Sequence, residues 1–381
     1  MAGKKKTETK KEAVKANALT ISAETFKTLV SKAYKGVGNN KLLPLTQLMC
    51  IRVKDGELTL IASDETGTNY LYVTQKNIEG DFYATVLADQ FAKLIEKQTC
   101  EKITMEADAD KLNITGNGKY TIALQYDEMG NAIQYPDPLE KLVMPEAGTG
   151  NISLSVITKM LNSVKPALAV SMDAPYLTGY YAGDIIAATN GDEMSIYSAE
   201  LMEKPVILSP TVIELLALSA DDKFSVETYE EDVLVFYTSD IKIYSHAMEG
   251  IDDYPVDALK QFKDADMPYN CKLSKSALLQ ALDRISLFIG AYDDNAIKLT
   301  FDGKAVKISS LASTGVEDIT YMSGSKDKFE CTVDSVAFTK HVKAQSTDTV
   351  EIQFGDESAI KLIDGDIVQI LSLFEEDNAE A

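Results

Sequence analysis

The sequence predicts an α+β chain of three similar modules, each made of two strand–helix–meander units. Three observations carry this prediction. A turn, an alternating apolar run and a small polar corner are written three times, as KDGELTLIASDETG (54–67), AGDIIAATNGD (182–192) and FDGKAVKISSLASTG (301–315). Each copy follows a segment that reads as a strand and then a helix. Each is followed by a second strand, a second helix and paired alternating runs.

The opening segments are LTISAETFKTLVSKAYKGVG from Leu19, ISLSVITKMLNSVKPALAV from Ile152 and CKLSKSALLQALDRISLFIG from Cys271. In each, Ser or an acidic or polar residue stands before an i, i+3/i+4 apolar series, which is a helix start signal. The second strand and helix are FYATVLADQFAKLIEKQ, PVILSPTVIELLALSADD and FECTVDSVAFTKHVKAQ. The meanders are KITMEADADKLNITGNGKYTIAL, KFSVETYEEDVLVFYTSDIKIYSHAM and TVEIQFGDESAIKLIDGDIVQILSL. In the second, Phe224 and Val226, then Val233, Val235 and Tyr237, alternate with the period of half-buried strands. Two units make a module of roughly 115–125 residues, an ordinary domain size. Polar stretches bearing Pro and Gly at 127–150 and 248–268 separate the modules, which are expected at 18–140, 150–255 and 268–374. Residues 1–17 carry Lys4, Lys5, Lys6, Lys10, Lys11 and Lys15 and read as a disordered basic arm, with a weak DNA-touching arm as the alternative. Residues 375–381, EEDNAEA, read as an acidic tail.

Composition narrows the function classes. Of 381 residues, 45% are hydrophobic and 25% charged, the profile of soluble globular domains. The net charge of −22 repels polyanions, so any nucleic-acid role needs a local basic face. No apolar stretch has the length of a membrane span, and the N-terminus lacks a signal-peptide core; no membrane partner is expected. Cys50, Cys100, Cys271 and Cys331 are far apart and read as buried thiols of a reducing cytoplasm. With only His246 and His341, imidazole chemistry has little to work with. The paired acids Asp364–Gly365–Asp366 and Asp252–Asp253 could hold a divalent metal, but acids at hairpin turns are usually turn formers. Gly116–Asn117–Gly118 lacks the context of a phosphate loop. No catalytic residue, cofactor or metal site is expected, and the chain is not read as an enzyme.

The positive charge gathers on the expected helices. They carry Lys27, Lys32, Lys35, Lys93, Lys97, Lys159, Lys165, Lys275, Arg284, Lys340 and Lys343, against Glu24, Asp89, Glu96, Glu214, Asp221, Asp283 and Asp334. That is eleven bases to seven acids in a chain where acids outnumber bases 59 to 37. Solvated helix faces explain such a bias. So does a common concave face that meets phosphates, which would bind without reading sequence. The fourth helix, from Ser209 to Asp222, carries no base, so such a lining is uneven.

From about Leu19 to Phe374 the chain resembles the bacterial sliding clamps, the beta subunits of DNA polymerase III. LPLTQLMCIRVKDGELTLIASD (43–64), PYLTGYYAGDIIAATNGDEMSIYS (175–198) and EGIDDYPVDAL (249–259) are similar to family segments in the same order and spacing. The resemblance implies a ring of two chains paired head to tail around duplex DNA, helices inside and sheets outside. It implies a processivity factor in DNA replication, with the replicative polymerase, the clamp loader and a second copy as partners. It also implies a partner pocket between modules two and three, walled here by Leu177, Thr189, Gly191, Met194, Pro255, Leu371, Ser372 and Leu373, with Leu259 beside them. Where the family has His-Arg, this chain has Asp192–Glu193, so partner peptides are expected to carry fewer acids, or Lys/Arg, beside their apolar anchors. QILSLF (369–374) reads as the closing strand of module three, although it is similar to a clamp-binding peptide; the acidic tail beyond it would drape over the pocket. The divergence suggests a phage or mobile-element version. The rival reading is a repeat-built structural or adhesion protein indifferent to DNA.

Overall fold

A computed structural model describes residues 17–374 except 109, 127–128, 130–132, 145–151 and 172. The basic arm up to residue 16, the acidic tail and part of the first linker therefore lie outside the described residues; Asn17, expected in the arm, is instead bonded to Tyr83 and Ala107.

One unit is written six times along the chain. The first copy is β1 (Ala18–Ser22), α1 (Ala23–Tyr34), β2 (Leu48–Lys54), β3 (Glu57–Ser63) and β4 (Tyr70–Lys76). The second is β5 (Phe82–Leu87), α2 (Ala88–Glu96), β6 (Lys102–Ala107), β7 (Lys111–Thr115) and β8 (Lys119–Ala123). The third is β9 (Ile152–Ser153), α3 (Leu154–Lys159), β10 (Tyr180–Ala182), β11 (Ile186–Thr189) and β12 (Glu193–Tyr197). The fourth is β13 (Val206–Leu208), α4 (Pro210–Leu216), β14 (Lys223–Thr228), β15 (Val233–Tyr237) and β16 (Ile241–His246). After the connecting helix α5 (Val256–Asp264), the fifth is β17 (Tyr269–Ser274), α6 (Lys275–Ile285), β18 (Ala296–Phe301), β19 (Ala305–Ser310), β20 (Val316–Thr320) and the short β21 (Ser323–Gly324). The sixth is β22 (Phe329–Asp334), α7 (Ser335–Ala344), β23 (Thr349–Phe354), β24 (Ala359–Asp364) and β25 (Ile367–Ser372).

The helices start where hydroxyl and carboxylate caps stand. Ser153, Ser209 and Ser274 accept a backbone N–H in the first turns of α3, α4 and α6, and Asp334 accepts those of Val336 and Ala337 at α7. Ser22 stands before α1 without a side-chain cap bond. Each longer helix buries one apolar stripe, such as Ala23, Phe26, Leu29, Val30 and Ala33 of α1, and keeps its lysines off that stripe. Helix α3 runs on into a π turn, Met160–Val164, and a 3₁₀ turn, Lys165–Ala167, with Pro166 in its first positions.

The chain divides into two compact units, Met1–Asn151 with Leu218–His246, and Ile152–Ala217 with Ala247–Ala381. In the first, β1 leaves its own copy to pair with β6 in the sheet β1-β6-β7-β8, and β5 pairs with β2. This exchange of first strands sews two copies together, because neither copy completes its sheet alone. β4 then pairs antiparallel with β16, from Ile241 opposite Val73 to Tyr244 opposite Tyr70. The second unit repeats the exchange: β17 pairs with β23, β18 with β22, and β10 with β13. There β12 joins β25, from Glu193 opposite Leu371 to Tyr197 opposite Ile367. The core of its last two copies contains the stacked rings of Phe301 and Phe354, centroids 4.0 Å apart. Cys50, Cys271 and Cys331 are buried and Cys100 half-buried; burial pushes the first three thiols up to about 12.

Candidate partner pocket and basic helix faces

The second copy of the repeated corner is a tightly bonded hairpin tip between β11 and β12. Asn190 Oδ1 accepts the backbone N–H groups of Asp192 (3.0 Å) and Glu193 (2.8 Å). Thr189 Oγ1 donates to the Glu193 carbonyl at 2.8 Å and accepts from Gly191 N at 3.1 Å. Gly191 holds φ at +103°, a conformation that suits glycine. The tip leaves the Asp192 side chain exposed, while the Asp192 carbonyl accepts from Ser372 N at 3.0 Å. In the first copy of the corner, Asp64 does the same work with different bonds, accepting from Asn69 Nδ2 at 2.6 Å and Thr66 Oγ1 at 2.7 Å.

Alternation along β12 and β25 then sorts the expected pocket residues onto two faces of the sheet. On one face Met194 and Ile370 are register partners, and with Tyr181, Ile196, Tyr254 and Leu259 they form one apolar cluster. Leu177, Tyr176 and Val256 pack on it half-buried, and Pro255 is exposed at the start of α5. Thr189 lies opposite Met194 and is buried. Tyr254 fixes the entry to α5 by donating from its hydroxyl to the Ala187 carbonyl at 3.2 Å. The far end of α5 is held by Lys361, a buried side chain on β24 opposite Ile370. Its Nζ donates to the carbonyls of Lys263 (2.9 Å) and Ala265. Burial lowers the Lys361 ammonium, against the pull of Asp264, Asp266 and Asp356.

On the other face, Glu193 and Leu371 are partners and meet α7. Leu371 belongs to the core around Phe338, with Leu373 half-buried against it. The Glu193 side chain is only 10% exposed, and its Oε2 lies 2.7 Å from both Lys340 Nζ and His341 Nε2. Burial alone would raise this carboxyl; the hydrogen bonds from His341 and Lys340 more than offset it and hold it at about 2. Burial pushes His341 the other way, below its ordinary range, so the neutral ring donates through Nε2 and Lys340 supplies the compensating charge. Asp192, Glu193, Leu371, Ser372 and Leu373 line one hollow of about 300 Å³, together with Asn190, Asp294, Asp334, Ala337 and Phe374.

The basic residues fall into two groups. Lys32 pairs with Asp240, Lys93 with Asp89, Lys165 with Glu214, Lys340 with Glu193, and Arg284 with Glu317 through two 2.6 Å bonds. Lys159 lies 4.7 Å from the centre of the Tyr197 ring and 3.8 Å from Asp366, and Lys275 donates to the Gln345 carbonyl. Lys27, Lys35, Lys97 and Lys343 form no ion pair among the described residues. Lys27, Lys32 and Lys35 border a shallow hollow of α1 with Thr28, Ser31 and Leu218. The excess of bases on the helices is therefore partly neutralised by neighbouring acids, which a count along the sequence does not reveal.

Compared with solved structures, the chain superposes on the beta subunit of DNA polymerase from Streptococcus pyogenes with a TM-score of 0.79 at 18% identity, over 94% of this chain and all of that one. The fold is that of the bacterial sliding clamps. The DNA polymerase sliding clamp from Bacillus subtilis matches over 95% of this chain and all of its own, with a TM-score of 0.78 at 16% identity. The DNA polymerase III beta subunit of Thermotoga maritima gives 0.75 at 16% identity, covering 94% and 99%. No protein-family model and no curated protein matches the sequence. The clamp fold is thus shared at 16–18% sequence identity. Within it, Ile370, Tyr254, Asp294 and Asp334 join the candidate pocket, although they are not among the residues expected from sequence. Strand alternation could have found Ile370, since it stands one residue from Leu371 and so faces Met194. Nothing local marks Asp294 or Asp334, which reach the hollow from other strands and turns.

Proposed function

We propose that this chain is a non-enzymatic DNA sliding clamp: a replicative processivity factor that closes around duplex DNA as a head-to-tail pair. Polymerase and clamp loader dock around the β12–β25 pair, on the Leu177–Met194 face beside α5 and at the hollow beside α7. The observation that carries the reading is the six-fold strand–helix–meander unit in the clamp fold over 94% of the chain. Two sheet edges support closure. Among the described residues β8 pairs only with β7, and β20 only with β19. Exposed strand edges invite pairing with another chain. Here the β8 edge offers exposed Lys119 and the β20 edge exposed Asp318, so the tail of one copy complements the head of the next. The three modules at 18–140, 150–255 and 268–374 then present their helices to the duplex, with Lys27, Lys35, Lys97 and Lys343 ready for phosphates and the paired bases able to exchange partners. A structural or adhesion protein is not favoured by this fold.

The test is topological. Protein loaded on a nicked circle by a clamp loader stays on the circle and is lost when the circle is linearised; equal retention on both forms rules the clamp out. For docking, Leu177→Asp, on the half-buried side of the cluster, abolishes polymerase stimulation while the pair of chains stays intact.

A further inference from the structure

The hollow between the β11–β12 tip, the end of β25 and the start of α7 has an apolar floor and an acidic rim. Leu371, Leu373, Ala337 and Phe374 supply the floor, and Phe374 is 40% exposed. The rim carries Asp192, Asp294 and Asp334, and the described residues of the lining include no Lys, Arg or His. Glu193 also lines the hollow, but its charge is spent on Lys340 and His341. Asp334 holds the α7 amides, whereas the carboxylates of Asp192 and Asp294 have no hydrogen bond or ion pair among the described residues. In sequence the next residues after Phe374 are Glu375, Glu376 and Asp377, more charge of the same sign.

We propose that this hollow selects a short partner peptide whose apolar anchor is flanked by Lys or Arg. Asp192 and Asp294 set the charge preference, and Glu193 does not. The inference rests on the docking reading above and adds the chemistry of the partner to it. An apolar side chain fills the floor. A flanking cation meets two carboxylates that no internal partner neutralises, and an acidic flank is repelled by them. Glu193 plays a positioning part: its bonds to Lys340 and His341 keep the hairpin tip that carries Asp192 against α7, the helix that Asp334 caps.

The experiment uses the full-length protein and two fluorescent peptides that share an apolar core and differ only in flanks, KKQILSLFKK and EEQILSLFEE. At low salt the lysine-flanked peptide binds about tenfold tighter, and the ratio shrinks as salt rises. The double variant D192N/D294N, which keeps the cap at Asp334, brings the two affinities together, while Lys340→Ala leaves the preference in place. Equal affinities for the unaltered protein, or a preference for the glutamate flanks, overturn the charge selection and leave docking standing. If neither peptide binds, both the selection and the docking reading fall.

Discussion

Glu193 and His341 lie 148 positions apart in sequence, yet the Glu193 carboxylate is 2.7 Å from the Nε2 of a fully buried imidazole. This contact ties the hairpin tip of the third repeat to the helix of the sixth. Lys340 completes it from the solvent side with a 38% exposed side chain. Removing the acid leaves a buried donor without its acceptor. Glu193→Ala should therefore cost on the order of 2 kcal/mol in urea unfolding, whereas Lys340→Ala, whose ammonium was already hydrated, should cost under about 1 kcal/mol. Equal losses would show that the lysine, not the histidine, carries the contact.

The same pair sets a pH dependence. Burial holds His341 below the ordinary 6.5, so the unfolded chain binds its proton first as pH falls. Stability thus declines as pH drops below about 6.5. Glu193 is depressed from 4.5 to about 2, so its contribution is complete above 4.5 and is lost as pH falls toward 2. His341→Gln, which can still donate to Glu193, should flatten the first decline and keep the second. Denaturation midpoints across pH 3–8 separate the two.

Lys361 reaches from β24 to the last carbonyls of α5, a helix that carries Leu259 into the apolar cluster. Lys361→Met keeps the stem and removes the cap. We expect a loss of about 1–2 kcal/mol and faster amide exchange in residues 256–264, with little change in α7. Uniform acceleration across the chain would argue against a local role.

Lys27 and Lys35, which form no ion pair among the described residues, offer a test of phosphate binding. Lys27→Glu with Lys35→Glu should weaken retention on circular DNA. It should also lower the slope of log affinity against log salt by about one for each phosphate that is no longer neutralised. An unchanged slope would mean that α1 does not face the duplex.

Closure through the two sheet edges predicts a charge swap. Lys119→Glu alone, or Asp318→Lys alone, should shift sedimentation toward single chains, and the double exchange should restore the pair. Identical mass for all forms would place the interface elsewhere.

The repeat was legible because it is local. Turn residues such as Asp55–Gly56, the Ser and Asp caps, and two periodicities of apolar residues are dictated by backbone sterics and by which face must leave water. They survive at 18% identity to a solved clamp. For the candidate site, the residues expected from sequence lie in recognisable phrases, the corner Thr189–Met194 and the 249–259 stretch, but their division between two faces of the sheet was not legible there.

What the sequence determined by itself is the α+β class, the six copies of one unit and the gathering of lysines on helices. Only the tertiary structure decided which strands trade places between copies and which edges stay open. It alone placed Met194 beside Ile370 while turning Leu371 to the opposite core. It also showed that Glu193 is neutralised by α7, whereas Asp294 and Asp334 come to the hollow that Asp192 overlooks. The physical reason is range. Turns, caps and periodicity act within a few residues, but pairing register and charge compensation join side chains more than a hundred positions apart.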